Sequence, residues 1–211
     1  MVGVARPLTI ALLLAIAVLG SSTAATAARW IPWPTATWQL QFSGTIDVTV
    51  RADIFDLDMF DTSRRLVRKV HASGHHAICY INAGAWESWR PDAADFPSNV
   101  KGRDLDGWPG EKWLDIRRLD ALGPILLKRV RLCRDKGFDG VEFDNVDGYQ
   151  NATGFNLSAS DQLAFDRWLA DTAHANGLSV GLKNTLGLVA SSSRASTSRS
   201  SSNASCITSV P

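Results

Sequence analysis

The segment GFDGVEFDNVDGY, residues 137–149, concentrates four acids in a short stretch. They are Asp139, Glu142, Asp144 and Asp147. A carboxylate removed from water must be paired, hydrogen-bonded or protonated, so such a density of acids needs a reason. Two neighbouring carboxyl groups push their pKa values apart, which lets one stay protonated as a general acid. The segment therefore predicts acid–base chemistry by paired carboxylates.

The apolar residues of this segment indicate a β-strand from Phe138 to about Asp144. Side chains alternate along a strand, so Glu142 and Asp144 share one face, opposite Val141 and Phe143. The apolar pair suits contact with helices. We therefore expect the two acids to point to the other, inward face, with Asp144 nearer the end of the strand.

The acids have two other interpretations besides catalysis. A calcium loop requires Glu at its twelfth position, and the twelfth residue counted from Asp144 is Phe155, so that interpretation fails. A solvated turn remains open for Asp147, which precedes Gly148. Acids on the inward face at a strand end favour a functional site, so Glu142 and Asp144 are the candidate catalytic residues. No metal and no cofactor are predicted.

Strand and helix patterns alternate along the chain. Strands are predicted at 37–44, 52–60, 76–84, 113–117, 138–144 and 178–184, and helices at 62–72, 120–136 and 158–177. The first helix is expected to begin with Thr62 as its cap. This alternation predicts βα units and a parallel sheet. The segment 85–112 is too long for an ordinary connection, which suggests a functional role.

Polar residues recur where the predicted strands end. They are Asp56, Asp58, Tyr80, Asn82, Glu142, Asp144, Asn145, Lys183 and Asn184. In parallel α/β folds the chemistry gathers at the carboxyl ends of the strands. The pattern predicts an α/β fold, a (β/α)8 TIM barrel. It would be incomplete, since a closed barrel takes about 250 residues and this chain offers five to six strands.

The composition limits the classes of partner. The 211 residues carry 22 Lys+Arg against 21 Asp+Glu, a formal charge of +1, which argues against nucleic acid or a membrane surface as partner. Four of the eight Trp lie within residues 86–113, and this clustering suggests an aromatic-lined groove. We expect a monomer.

The N-terminus, 1–28, is predicted to be a signal peptide. Arg6 precedes an apolar run from Leu8 to Leu19, and small residues follow, as at a cleavage site. The run is too short to span a bilayer, which needs about 20 residues. The pattern predicts a secreted protein with no membrane contact after cleavage.

Three cysteines give no disulfide pattern. Cys79 falls in a predicted strand, Cys133 in a predicted helix and Cys206 in the tail. Their number is odd and their spacing is wide. We therefore expect Cys79 and Cys133 to be small, unpaired core residues.

Several segments in order resemble glycoside-hydrolase family 114 over residues 30–190. They are WQLQFSGTID, IFDLDMFDT, ICYINAGAWESWRPD, LDGWPGEKWLDIR, KGFDGVEFDNVDGY and GLKN. The resemblance implies a secreted TIM-barrel enzyme that hydrolyses α-1,4-linked galactosamine polymers with two carboxylates, one of them Asp144. It implies sugar contacts from Asp58, Tyr80, Asn82, Trp108, Asn145, Tyr149 and Lys183. An alternative is a barrel remnant that binds polysaccharide through Trp86, Trp89 and Trp108 without cleaving it.

The chain departs from the family pattern near its end. Thr185 stands where the family has Asp after G-L-K-N, and the motif E-Q-C-F-x-Y-x-E-C, which supplies the second carboxylate, is missing. The Ser-rich, low-complexity tail 191–211 allows that motif as one decoding when its codons are read one base out of register after Ala190. In that frame Ala204 becomes only Cys or Arg. We therefore expect 29–190 to be the N-terminal part of the barrel domain and the tail to be a frameshift product.

This interpretation makes a prediction about the gene and the protein. Resequencing around the Ala190 codon should reveal one missing base, and an intact frame without the motif downstream would contradict it. The 211-residue product should be poorly soluble and inactive, because an unclosed sheet leaves strand edges exposed.

Overall fold

The computed structural model describes residues 29–184 and Leu188. The predicted signal peptide, the tail 191–211 and Thr185 lie outside the described residues. Within the described part, no helix combines the length and the apolar character needed to cross a bilayer. The described region includes all the predicted strands and helices.

Eight strands and three α-helices form the described part of the chain. The strands are β1 (Trp38–Gln41), β2 (Ile54–Asp58), β3 (His76–Asn82), β4 (Ala85–Glu87), β5 (Lys101–Asp104), β6 (Glu111–Leu114), β7 (Gly140–Asp144) and β8 (Ser179–Leu182). The helices are α1 (Arg64–Ala72), α2 (Leu119–Lys136) and α3 (Ala159–Ala175).

The main sheet has five strands in the order β1-β2-β3-β7-β8. All four pairings are parallel. Each strand therefore lies beside the strand of this sheet that precedes it in the chain, as expected for βα units. The predicted parallel α/β architecture is confirmed.

The two faces of the main sheet differ in chemistry. One face, with Phe55, Cys79, Val141 and Phe143 among its residues, joins the helices in a single buried apolar core. The other, inner face carries the acids, because Glu142 lies beside Tyr80 in the register and Asp144 beside Asn82. The alternation predicted for β7 is confirmed.

Helix boundaries follow local capping. The expected cap of α1, Thr62, is wrong: the cap is the next residue, Ser63, whose side chain accepts a hydrogen bond from the backbone N–H of Leu66 at 3.2 Å. Thr62 instead donates its backbone N–H to the Asp58 carbonyl at 3.2 Å and is buried. For α3, Ser158 and Asp161 form a reciprocal capping box.

The long segment between β3 and α2 forms a second, small sheet. Its order is β4-β6-β5, and both pairings are antiparallel. The strand predicted at 113–117 begins earlier, at Glu111, ends at Leu114 and does not join the main sheet. A short apolar run indicates a strand but not its partners, which explains the difference.

Cys79 and Cys133 form a disulfide between β3 and α2, with 6.0 Å between their Cα atoms. The expectation that both would be unpaired is wrong. Both residues are fully buried. Their separation of 54 residues carries no sign of pairing, because the contact arises only when α2 packs on the sheet.

Replacing both cysteines by Ala should lower the free energy of unfolding by roughly 4 kcal/mol. The physical reason is that the bond closes a long loop, which restricts the unfolded chain. Urea unfolding of the double variant, compared with reduced and oxidised wild type, measures this. Equal stability of oxidised and reduced wild-type protein would contradict it.

Candidate active site

Asp144 is the centre of the candidate site at the carboxyl end of β7. Its Oδ2 accepts a hydrogen bond from the Tyr80 hydroxyl at 2.7 Å, and Lys183 Nζ lies 3.5 Å from the same oxygen. Its Oδ1 accepts the backbone N–H of Asn145 at 2.8 Å. Three donors from three strand ends therefore fix the orientation of this carboxylate and stabilise negative charge on it.

Tyr80 is suited to be a permanent donor. Burial, and then the charge of Asp144, raise the pKa of the Tyr80 hydroxyl above its usual value of 10.0. The ring of Phe42 packs against the Tyr80 ring, with 4.2 Å between centroids. The phenol thus stays protonated and aimed at Asp144 over any working pH.

Asn145 and Asn82 join the ends of β7 and β3. The Asn145 backbone has a φ of 58°, in the left-handed region that Asn tolerates better than most residues. Its side-chain amide donates to Asn82 Oδ1 at 3.0 Å, and Asn82 Nδ2 donates to Glu111 Oε2 at 3.0 Å. The two amides therefore connect Glu111 of the small sheet to Asn145 and hold in place the residue that follows Asp144.

A buried arginine supports Asn82 from the helix side. Arg129 of α2 donates from Nη1 to the Asn82 carbonyl at 2.8 Å. Its remaining nitrogens hold both oxygens of Asp92, at 2.7 and 2.8 Å. Because the guanidinium is almost fully buried and fully bonded, it holds the end of β3 in a fixed position.

Glu142 lies one layer deeper than Asp144 on the same face. It is 2% exposed, and burial raises the pKa of its carboxyl, with a further contribution of the same sign from Asp144. Asp56 of β2 accompanies it, 0% exposed, and burial followed by the charge of Glu142 raises the pKa of Asp56 well above 3.8. The predicted site omitted Asp56, although its alternation with Asp58 along β2 was a usable signal.

Asp58 has a full set of protein partners. Its Oδ1 accepts the backbone N–H groups of Phe60 and Asp61 at 2.8 and 2.9 Å, and its Oδ2 lies 2.7 Å from Arg90 Nη2. Arg90 also donates to Glu87 Oε2 at 2.7 Å. Asp58 thus anchors Arg90 beside the site, and its contact with a sugar stays a prediction.

Two further acids come from the small sheet, and sequence reasoning did not find them. Glu87 of β4 and Glu111 of β6 face each other across an antiparallel pair. Burial, and then the charge of Glu87, raise the pKa of Glu111 to about 7. They became part of the site only because β4 and β6 fold back over the end of β3.

The remaining predicted sugar contacts lie outside the Asp144 cluster. Trp108 is 63% exposed on the turn between β5 and β6, and Trp89 is 55% exposed after β4. Tyr149 lies in a short turn after β7 and accepts a hydrogen bond from Gln150 Nε2 at 2.7 Å. Trp86 is held by a bond from its Nε1 to the Ala93 carbonyl at 2.9 Å. These contacts are all within the protein, so binding of a sugar by these residues stays a prediction.

Within the described residues, no group of three or more His, Cys, Asp or Glu side chains has a geometry that could hold a metal ion. Two basic side chains pair with acids of the inner face, Arg90 with Asp58 and Lys183 with Asp144.

The fold and the site define the class of the protein: a parallel βα chain, part of a barrel, with acids converging at the carboxyl ends of its strands. The model of glycoside-hydrolase family GH114 matches residues 20–206. The chain belongs to this family. No curated protein sequence matches it.

Solved structures share the fold. The crystal structure of Aspergillus fumigatus Ega3 in complex with galactosamine matches this chain with a TM-score of 0.76 and 40% sequence identity. The match covers 79% of this chain and 66% of the Ega3 chain. The glycoside hydrolase domain of PelA from Pseudomonas aeruginosa shares the fold, with 15% identity and a TM-score of 0.57, over 74% of this chain and 62% of that domain. The chain spans less than two thirds of either. The predicted fold class, a partial (β/α) barrel, is confirmed.

Proposed function

We propose that this protein is a secreted glycoside hydrolase that cleaves α-1,4-linked galactosamine-type polysaccharide by paired carboxylates. The observation that carries the proposal is the Asp144 carboxylate, fixed by Tyr80, Lys183 and the Asn145 N–H at the strand ends of a GH114 chain. A carboxylate held in this way can stabilise the positive charge of an oxocarbenium-like transition state or attack the sugar carbon.

Burial separates the roles of the two candidate catalytic acids. Asp144 has a side chain 13% exposed at the mouth of the inner face, so a sugar can reach it. Glu142 is 2% exposed beneath it, which suits an electrostatic role rather than contact with the sugar. The second catalytic carboxylate is then proposed to come from the sequence that the tail would encode in the other frame.

The charge of the site fits an amino sugar. Acids outnumber bases near Asp144: Asp58, Glu87, Glu111 and Glu142 lie in this region, against Lys183 and Arg90. A polymer of galactosamine is cationic when its amino groups are protonated. An anionic cleft raises the local concentration of such a substrate and speeds its association.

A non-catalytic, polysaccharide-binding role is the second candidate. It is favoured by the exposed indole rings of Trp89 and Trp108, since flat aromatic faces suit sugar rings. In that case the chain would hold the polymer without cleaving it.

One experiment separates the two functions. The 211-residue protein and a version with the missing base restored are incubated with insoluble galactosamine polymer, and both bound protein and new reducing ends are measured. New reducing ends from the restored version are expected, and fully N-acetylated polymer, which is uncharged, should be a poor substrate. Binding by both proteins without new reducing ends would contradict the hydrolase and support the binding role.

A further inference from the structure

The loop between β7 and α3 contains two acceptor sequences for N-linked glycans. They are Asn151-Ala152-Thr153 and Asn156-Leu157-Ser158. The sequence Asn-X-Ser/Thr, with any residue except Pro in the middle, accepts such a glycan in a secreted protein and belongs on a surface loop. A third acceptor sequence, at 203–205, lies outside the described residues. The folded surface distinguishes the first two.

Asn156 presents a free amide to solvent. The residue is exposed, and within the described part of the chain its side chain takes part in no hydrogen bond, ion pair or ring contact. Its backbone carbonyl accepts a hydrogen bond from Arg117 Nη1 at 3.4 Å. The main chain therefore has a partner at this point, whereas the amide that would carry a sugar has none.

The neighbours of Asn156 fix the direction of its side chain. Phe155 and Leu157, on either side of it, pack against the apolar core. Ser158 then caps α3, and its hydroxyl accepts the backbone N–H of Asp161 at 3.2 Å. Because both adjacent side chains turn inward, Asn156 points outward, and a sugar on its amide nitrogen displaces no protein group.

Asn151 is engaged with the fold instead. Its Nδ2, the atom that would carry a sugar, donates a hydrogen bond to the Asp147 carbonyl at 3.0 Å. Thr153, whose hydroxyl completes this acceptor sequence, is 1% exposed. The Thr153 hydroxyl accepts the backbone N–H of Phe155 at 3.2 Å and donates to the Phe155 carbonyl at 3.1 Å. A glycan on Asn151 would therefore compete with the bonds that shape the turn after β7.

The two acceptor hydroxyls also differ in access once the loop has formed. The bonds of Asn151 and Thr153 join residues at most four apart, so they can form before distant parts of the chain arrive. They bury Thr153, whereas Ser158 stays exposed even as the cap of α3. A transferase that must bind the hydroxyl can still reach Ser158 when Thr153 is already covered.

The cysteines and the N-terminus fit the compartment in which such glycans are added. The buried Cys79–Cys133 disulfide is typical of proteins that fold in an oxidising compartment such as the endoplasmic reticulum. The segment 1–28 is predicted to be a signal peptide, which would direct the chain there. N-linked glycans are attached in the same lumen.

We propose that Asn156, rather than Asn151, is an N-glycosylation site of this protein. The donor is an oligosaccharide linked to a lipid through pyrophosphate. Asn156 Nδ2 forms a bond to the anomeric carbon of the first sugar, and the bond from that carbon to the pyrophosphate oxygen breaks. The lipid pyrophosphate leaves with the electron pair, and Nδ2 loses one proton to a base of the transferase. The site rests on the secretion that the proposed function includes, and it is independent of hydrolysis.

The experiment uses the full 211-residue chain made in a eukaryotic secretory host. All versions carry Asn203→Gln, so that the acceptor sequence at 203–205 cannot contribute, and cells and medium are analysed together, so that low solubility does not hide the product. An amidase that removes N-glycans should increase the gel mobility of the protein. Asn156→Gln should abolish this shift, and the matched control Asn151→Gln should leave it unchanged.

Two changes at Ser158 test whether the acceptor sequence itself is used. Ser158→Thr keeps a hydroxyl in the sequence and a good cap for α3, so it should keep the glycan. Ser158→Ala should lose the glycan although Asn156 is still present. The amidase reaction in heavy-oxygen water labels the former acceptor position, which peptide mass spectra then identify.

The opposite results would overturn the proposal. A label mainly at position 151, or no mobility shift in a chain from which 1–28 has been removed, would show that Asn156 is not the acceptor. A chain that keeps 1–28 and carries no glycan would overturn both this site and the proposed secretion, and the mass of the N-terminal peptide separates the two cases. Each result leaves the proposed hydrolysis untouched, because no polysaccharide substrate is present.

Discussion

Asp144→Asn should lower kcat for the galactosamine polymer by three orders of magnitude or more, in a form of the protein that hydrolyses it. Asn keeps the shape of the side chain but carries no charge to stabilise the transition state. Tyr80 and Lys183 then lose the anionic oxygen that they share. Reducing-end assays at saturating polymer measure the loss, and urea unfolding shows whether the variant folds.

Asp147→Asn is the matched control for this variant. Asp147 belongs to the same acidic segment, yet within the described residues no hydrogen bond or ion pair joins its side chain to Tyr80, Asp144 or Lys183, and it feels Asp144 only through its charge. Burial raises the pKa of its carboxyl, so a neutral amide is compatible with its environment. Near-normal hydrolysis by Asp144→Asn, or an equal loss in both variants, would show that Asp144 does not perform the chemistry.

Gly84→Ala should destabilise the protein by more than about 4 kcal/mol, as expected for severe overpacking against the backbone. A Cβ atom at Gly84 would lie 1.8 Å from the Asn145 carbonyl oxygen and 2.7 Å from its carbon. The backbone N–H of Gly84 also donates to the Asp144 carbonyl at 3.1 Å. Moving the two segments apart to make room for a Cβ atom would therefore break this hydrogen bond. Activity should be lost with stability, because Asn145 orients Asp144.

Gly107→Ala tests whether this effect is steric. Gly107 has a φ of 78°, which strains any residue with a Cβ, but nothing lies within 4 Å of the added atom. Its cost should be about 1–2 kcal/mol, the ordinary penalty for a left-handed residue. Urea unfolding of both variants gives the comparison, and equal losses would mean that contact with Asn145 is not the cause.

Local patterns were sufficient to predict the main sheet. The apolar run at 52–60 indicated β2, alternation in β7 identified that strand and the direction of its acids, and Ser158 correctly marked the start of α3. Such features depend only on residues close in the sequence. The parallel pairing then followed from the alternation of strands and helices.

Features that depend on distant residues were missed. The Cys79–Cys133 bond and the acids Glu87 and Glu111 become neighbours of the site only through tertiary packing. The difference between Asp56 and Asp58 is of the same kind. Both lie on one face of β2, but Asp58 reaches Arg90 whereas the oxygens of Asp56 have no hydrogen-bond partner within the described residues, which no spacing in the sequence reveals.

The order of the main sheet has a consequence for how the protein is made. Since β1, β2, β3, β7 and β8 lie side by side in the order of synthesis, each strand can add to an edge that already exists when it leaves the ribosome. The segment with β4, β5 and β6 pairs within itself and does not interrupt this growth. The bond from the Ser179 hydroxyl to the Trp30 carbonyl spans 149 residues and cannot form before β8 is synthesised. Trp30 is therefore among the first described residues to emerge, and its contact with β8 among the last to form.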